Sequence, residues 1–241
     1  MGLHAESLPP VVELRPSFEL EAELMEKYHG PVAGVDEAGR GPWAGPVVAA
    51  CVILNPNRIP EGLNDSKQLT PNEREERYAE IVATAKFGVA IGTVRRIDRM
   101  NILQADLWAM RAAYRAMQFK AAAALIDGNI KPRRFPCPAR AVVDADCLSL
   151  SVAAASIVAK VTRDRLMVKL ARRYRRYGWE RNKGYGTREH AAAIKKHGVC
   201  THHRRSFSPI ERALRLLETD EELTVAEGNL GVELCKLNDV L

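Results

Sequence analysis

No run in the sequence is long and apolar enough to span a bilayer, and residues 1–30 hold no apolar stretch of the signal-peptide kind. The expectation is a cytoplasmic protein with no membrane attachment. Cysteine is scarce: five residues, an odd number at scattered spacing, exclude a disulfide framework and fit free thiols in a reducing compartment. No GxxxxGK phosphate loop and no Ser-His-Asp arrangement stands out. Cys200, His202 and His203 lie together, but structural zinc takes four ligands in paired spacing and no second pair is nearby. Those side chains are expected to cap or pack the last helices. Internal repeats are missing too.

What is present is a chain of 241 residues, enough for one well-buried domain with a smaller appendage. Its net charge of +6 leans toward a polyanionic partner. Lys and Arg crowd between Arg163 and Arg188, whereas Glu218, Asp220, Glu221 and Glu222 make the end acidic.

The prolines Pro9, Pro10 and Pro16 predict a mobile start, followed by a short helix over Phe18 to Tyr28. Apolar runs predict neighbouring strands over Pro31 to Val35 and Val47 to Leu54, and a third over Phe87 to Val94. Thr70, Pro71 and Glu73 form the start signal of a helix, with Glu73 as a capping carboxylate. Leu103, Leu107, Met110 and Tyr114 repeat at helical spacing over Ile102 to Met117. Strands are expected to end at Asp127, before Gly128, and over Arg140 to Val143. A long helix over Leu150 to Tyr174 starts with the small residues Ala153 to Ser156, which allow close approach to a sheet. Helices over Thr187 to His197, with Gly198 as its stop, and over Ile210 to Leu217 complete the pattern. Such an order predicts an α/β protein with a mixed sheet and helices on its faces.

Asp36, Glu37, Asp127 and Asp146 each lie at or just past the end of a strand-like run. Carboxylates converging at one sheet edge repel unless a cation sits among them, and hard oxygen ligands suit Mg²⁺ or Mn²⁺. Two such ions could activate water and stabilise a leaving oxygen of a phosphodiester. Singly, Asp127 reads equally as half of an Asp-Gly turn and Asp146 as a loop acid. Gly39, Arg40 and Gly41 set a cation in a backbone free to approach a ligand. Lys67, in a loop before a helix, is placed to meet a phosphate or simply to be solvated. Tyr185, between Gly184 and Gly186, is a platform for a sugar or base, or else a plug between helices. Arg172, Arg173, Arg175 and Arg176 read first as a solvated helix face and second as a patch for a nucleic-acid backbone.

From about Phe18 to about Leu216 the ordered motifs VDEAGRGP (from Val35), NDSKQLT (from Asn64), IDRMNIL (from Ile97), LIDGN (from Leu125), AAASIVAKVTRDRLM (from Ala153), NKGYGT (from Asn182) and HHRRSFSP (from His202) resemble bacterial ribonuclease HII, the type 2 RNase H family. The resemblance implies an RNase H-like mixed five-stranded sheet flanked by helices, with a C-terminal helical region from about residue 165. It divides the chain into an N-terminal extension with a short helix (1–29), a catalytic domain (30–217) and a tail (218–241). It also implies cleavage of RNA in RNA/DNA hybrids and nicking of duplex DNA 5′ of an embedded ribonucleotide, with roles carried over residue by residue: Asp36, Glu37, Asp127 and Asp146 as metal ligands, Gly39, Arg40 and Gly41 as readers of the ribose 2′-hydroxyl, and Tyr185 as the ring on the neighbouring sugar. Mn²⁺ or Mg²⁺ is the implied cofactor and a monomer the implied state. Where the family has Lys-Gly-Asp this chain reads Asp144-Ala145-Asp146, so Asp144 is a second acid beside the implied fourth ligand. Asp164, in the long helix, is the other acid that could contribute there, and is read instead as making a helix-to-loop hydrogen bond. A DNA-cutting two-metal nuclease and a non-catalytic nucleic-acid binder are the competing functions.

Overall fold

A computed structural model describes residues 15–216; the expected mobile start and the tail 218–241 lie outside the described residues. Helix α1 (Glu19–Tyr28) leads into β1 (Val32–Ala38), β2 (Val47–Ile53), α2 (Pro71–Thr84) and β3 (Lys86–Gly92). Then come α3 (Val94–Met100), α4 (Ile102–Ala116), β4 (Ala123–Asp127), β5 (Ala139–Val142) and α5 (Leu150–Arg173). Short α6 (Trp179–Asn182), α7 (Arg188–His197) and a last helix α8 (208–216) form the C-terminal region. Among the described residues no helix is long and apolar enough to cross a membrane.

The five strands lie in the order β3-β2-β1-β4-β5. β2 runs antiparallel to both β1 and β3, whereas β1, β4 and β5 are mutually parallel. Every residue of β2 is buried, which is why its sequence is apolar throughout rather than alternating. Side chains alternate between the two faces of the sheet. Ala33, Val35, Ala49 and Cys51 pack with Ala109, Met110 and Ala113 of α4, and Ala50 and Val52 pack with Ala154, Ile157 and Val158 of α5.

The expected small-residue contact is present at the start of α5. A Cβ on Gly34 of β1 would stand 2.1 Å from the Ser151 carbonyl carbon, so the helix backbone lies directly on the strand. Buried Glu21 fixes α1 to the same point, accepting hydrogen bonds from the Ser149 hydroxyl (2.6 Å) and the Ser151 amide (2.7 Å). The capping box at α2 is complete, with Thr70 and Glu73 bonded to each other's amides.

Two boundaries and one helix face differ from the sequence reading. β1 continues to Ala38 because Asp36 and Glu37 pair with Ala50 and Ala49 of β2, so these acids lie within the strand rather than after it. β3 stops at Gly92, and Thr93 caps the unexpected helix α3 by accepting from the Arg96 amide. Seven residues are too few to show a clear helical period. On α4 the buried face is Ala105, Asp106, Ala109, Met110, Ala113 and Tyr114, so Leu103 and Leu107 stand at its margin.

Candidate active site

The parallel pair β1 and β4 is in register at Val35 and Ile126, which sets Asp36 beside Asp127 one step further on. Asp36, Glu37 and Asp127 each offer an oxygen within 4.8 Å of the others. Asp36 is buried and its Oδ1 accepts from the Glu37 amide at 2.7 Å; Asp127 Oδ1 accepts from the Ala145 amide at 2.8 Å. Burial, reinforced by Glu37 and Asp127, pushes the Asp36 carboxyl well above the usual range. Burial raises Glu37 against the opposing charge of Arg40, and raises Asp127 as well. Three all-oxygen donors that disfavour each other's ionisation fit a divalent cation, whose charge would relieve that repulsion.

Asp146 stands to one side of this trio. Buried in the turn before α5, it is raised to about 6 by burial and then by Asp65. Lys67 Nζ lies 3.5 Å from Asp146 Oδ2 and 3.6 Å from Asp65 Oδ1. Against its own partial burial, Asp146, Asp65 and Asp36 raise the Lys67 ammonium. Asp144 is exposed in a left-handed conformation with φ 53°, its carboxylate near enough to add to the Asp127 shift.

Gly39, Arg40 and Gly41 follow β1 directly. Gly39 has φ +96°, and a Cβ there would stand 1.9 Å from Arg163 Nε. Buried Arg204 donates to the carbonyls of Arg40 (2.7 Å), Gly39 (2.5 Å), Gly45 (2.9 Å) and Pro46 (3.2 Å). Buried Arg163 donates to the carbonyls of Pro46, Ala44 and Lys183, joining this loop to the one that carries Tyr185. Burial and the Arg163 charge hold Arg204 down to about 9. At Gly41 the one atom within 4 Å of a hypothetical Cβ, among the described residues, is Tyr185 Cε1, at 3.8 Å. Tyr185 is half exposed.

Behind Tyr185, His190 and His203 form a packed, hydrogen-bonded group, and His202 packs on Tyr174 and Trp179. The Cys200 amide donates to His203 Nδ1 at 3.0 Å, so neutral His203 carries its proton on Nε2. That proton points at His190 Nε2, 3.1 Å away, which also accepts from Trp179 Nε1 at 3.1 Å. His190 is then protonated on Nδ1 and donates to the Tyr185 carbonyl at 2.9 Å. Asp164, expected to bond to a loop, instead accepts from Lys160 of its own helix at 2.9 Å, with Arg74 of α2 at 3.9 Å. Exposed Lys169 and Arg172 line a groove of about 590 Å³ with Arg74, Arg165 and Lys183.

Two acids escaped the sequence reading. Asp65 lies inside a motif read only for Lys67. Asp106 is buried on α4 with Oδ2 3.6 Å from Arg40 Nε; an acid on the helix face assigned to the core was the available signal.

Acids on two neighbouring parallel strands, in a mixed sheet covered by helices on both faces, are thus arranged to hold a divalent cation. The model of the family described as Ribonuclease HII matches residues 33–210. A Ribonuclease HII of Xanthobacter autotrophicus is 53% identical over 211 residues, covering 87% of this chain and 84% of that protein. The ribonuclease H2 of Pyrococcus horikoshii superposes with a TM-score of 0.64 at 30% identity, over 76% of this chain and 96% of that one. RNase HII of Archaeoglobus fulgidus, solved as a PCNA complex, gives 0.63 at 28% identity, over 72% and 93%. The chain belongs to the ribonuclease HII family, and is therefore a ribonuclease H, an endoribonuclease of RNA/DNA hybrids.

Proposed function

We propose that the enzyme also nicks duplex DNA on the 5′ side of a single embedded ribonucleotide, leaving 3′-hydroxyl and 5′-phosphate ends, with Asp36, Glu37, Asp127 and Asp146 holding two Mn²⁺ or Mg²⁺ ions. The observation that carries the metal assignment is the trio of mutually destabilised carboxylates within 4.8 Å. Bound there, divalent ions supply an activated water and neutralise charge on the phosphate oxygens. Asp146 lies close enough to Asp127 to feel its charge, which supports it as the fourth acid.

The protein's own residues select and hold the substrate. A Cβ at Gly41 would meet Tyr185 Cε1 at ordinary contact distance and no closer atom among the described residues, so no tight internal packing accounts for that glycine. A close approach by a ribose 2′-hydroxyl accounts for it, and that hydroxyl is the handle separating RNA from DNA. Arg204 fixes Gly39 and Arg40 by their carbonyls, and the half-exposed Arg40 side chain, beside Glu37 and Asp106, reaches the substrate from there. Tyr185 faces the same space as a platform for the adjoining sugar, and Lys67 meets a phosphate beside Asp146. The enzyme acts on this reading as a cytoplasmic monomer.

The test is a duplex with one ribonucleotide beside an all-DNA duplex, each with Mn²⁺ and with Mg²⁺. Asp36→Asn is expected to lower nicking by about 10²–10³-fold or more, the scale of losing one preorganised electrostatic group, while hybrid binding persists. Undiminished nicking removes the assignment, and equal cutting of the all-DNA duplex replaces it with a DNA nuclease.

A further inference from the structure

Asp106 is an acid in a place built for a small apolar residue. On α4 it shares the buried face with Ala105, Ala109 and Met110, and it is 1% exposed. Its Oδ1 has no hydrogen-bond partner among the described residues. Its Oδ2 lies 3.6 Å from Arg40 Nε, while Arg40 Nη1 lies 3.6 Å from Glu37 Oε1. Neither contact is as short as a charge-assisted hydrogen bond. The guanidinium is therefore shared between two carboxylates, above a main chain that Arg204 grips through the Arg40 carbonyl. Burial and then the Glu37 charge push the Asp106 carboxyl up to about 8, with Arg40 opposing. An acid buried with an unsatisfied oxygen disfavours the folded state. Residues kept against such a local preference are expected where stability is traded for function.

Arg40 and a divalent cation compete for the same carboxylate. Glu37 is the member of the acid trio within reach of a guanidinium, and an arginine free to turn toward it would form the short, two-pronged pair that such groups favour. We propose that Asp106 is a positioning residue that holds the Arg40 guanidinium off Glu37, leaving Glu37 available to a divalent cation and Arg40 available to the nucleic-acid backbone. The inference rests on the metal role proposed above for Glu37.

Mn²⁺ affinity, measured by calorimetry on the full chain without substrate at a pH above about 8, where the Asp106 carboxyl is ionised, tests this apart from turnover. Asp106→Ala is expected to bind Mn²⁺ on the order of tenfold more weakly, the effect of a cation drawn in beside a carboxylate. The double variant Arg40→Ala with Asp106→Ala is expected to bind as Arg40→Ala alone does, because the competitor is gone. The thermal midpoint of Asp106→Ala should equal or exceed that of the wild type, whereas a purely structural acid would lower it. If Mn²⁺ affinity depends on Glu37, as judged by Glu37→Gln, yet Asp106→Ala leaves it unchanged, the inference falls and the metal reading stands. A deficit that persists in the double variant, with a lowered midpoint, makes Asp106 structural and also overturns it. Affinity indifferent to Glu37→Gln removes the metal reading and this inference together.

Discussion

Arg204 shows how much of the site depends on a residue that meets no substrate. Its guanidinium is fully buried and gives hydrogen bonds to the carbonyls of Gly39, Arg40, Gly45 and Pro46. Among the described residues it forms no ion pair within 4.0 Å. Arg204→Met keeps much of the volume but strands those acceptors, at a cost of about 3 kcal/mol. The expected result is a thermal midpoint lowered by roughly 6–12 °C, with ribonucleotide-specific nicking reduced more than hybrid binding. Thermal unfolding followed by circular dichroism checks the first and the single-ribonucleotide assay the second. At this scale the sequence was partly legible. Glycines beside acids and an arginine announced a ligand loop, but the arginines that hold its carbonyls lie 163 and 204 residues along the chain, where only the fold reveals what they reach.

Elements read well where local chemistry decides them. The Thr70–Glu73 capping box and the Gly198 stop each mark a helix end by hydrogen bonds within a few residues. They read less well where tertiary pairing decides, as in β1, whose last residues are strand only because β2 lies alongside. The C-terminal elements are joined through His203, whose hydrogen bonds require the neutral ring. Burial, then the neighbouring His190, pushes its pKa down to about 3. A folded pKa below the unfolded value means that the unfolded chain takes the proton first. Stability is then complete above about pH 6.5 and is lost as pH falls toward the folded value. The raised carboxylates at the active site act in the opposite direction, so a difference measurement is needed to isolate the histidine. The stability advantage of wild type over His203→Gln is expected to shrink by about 2 kcal/mol between pH 6.5 and pH 5, read from urea unfolding at each pH.

For the whole molecule, a net charge of +6 coexists with a cluster of acids at the point of reaction. Exposed Arg40, Lys67, Lys169 and Arg172 surround that region and the neighbouring groove. If each meets one phosphate, hybrid affinity should fall by about 10²-fold between 50 and 200 mM salt, measurable by fluorescence anisotropy with Asp36→Asn to prevent cleavage. Charge-neutral variants of Lys169 and Arg172 should flatten that slope. The overall sheet and its helical cover were legible in the order of the apolar runs. The division of the acids into a trio and the separate pair of Asp146 with Asp65 was not, because it depends on strand register and on a turn left-handed at Asp144.

The continuity of β1 into the Gly39–Gly41 loop has a metric consequence. Glu37 and Ala38 are locked to Ala49 and Val48 on one side, and the Gly39 carbonyl is gripped by Arg204 on the other. No slack remains between the acids and the glycines, so this short piece of backbone works as a ruler. In the proposed reaction, the phosphodiester that breaks is counted off from the sugar that is recognised, and the position of the cut is set by covalent spacing along one strand.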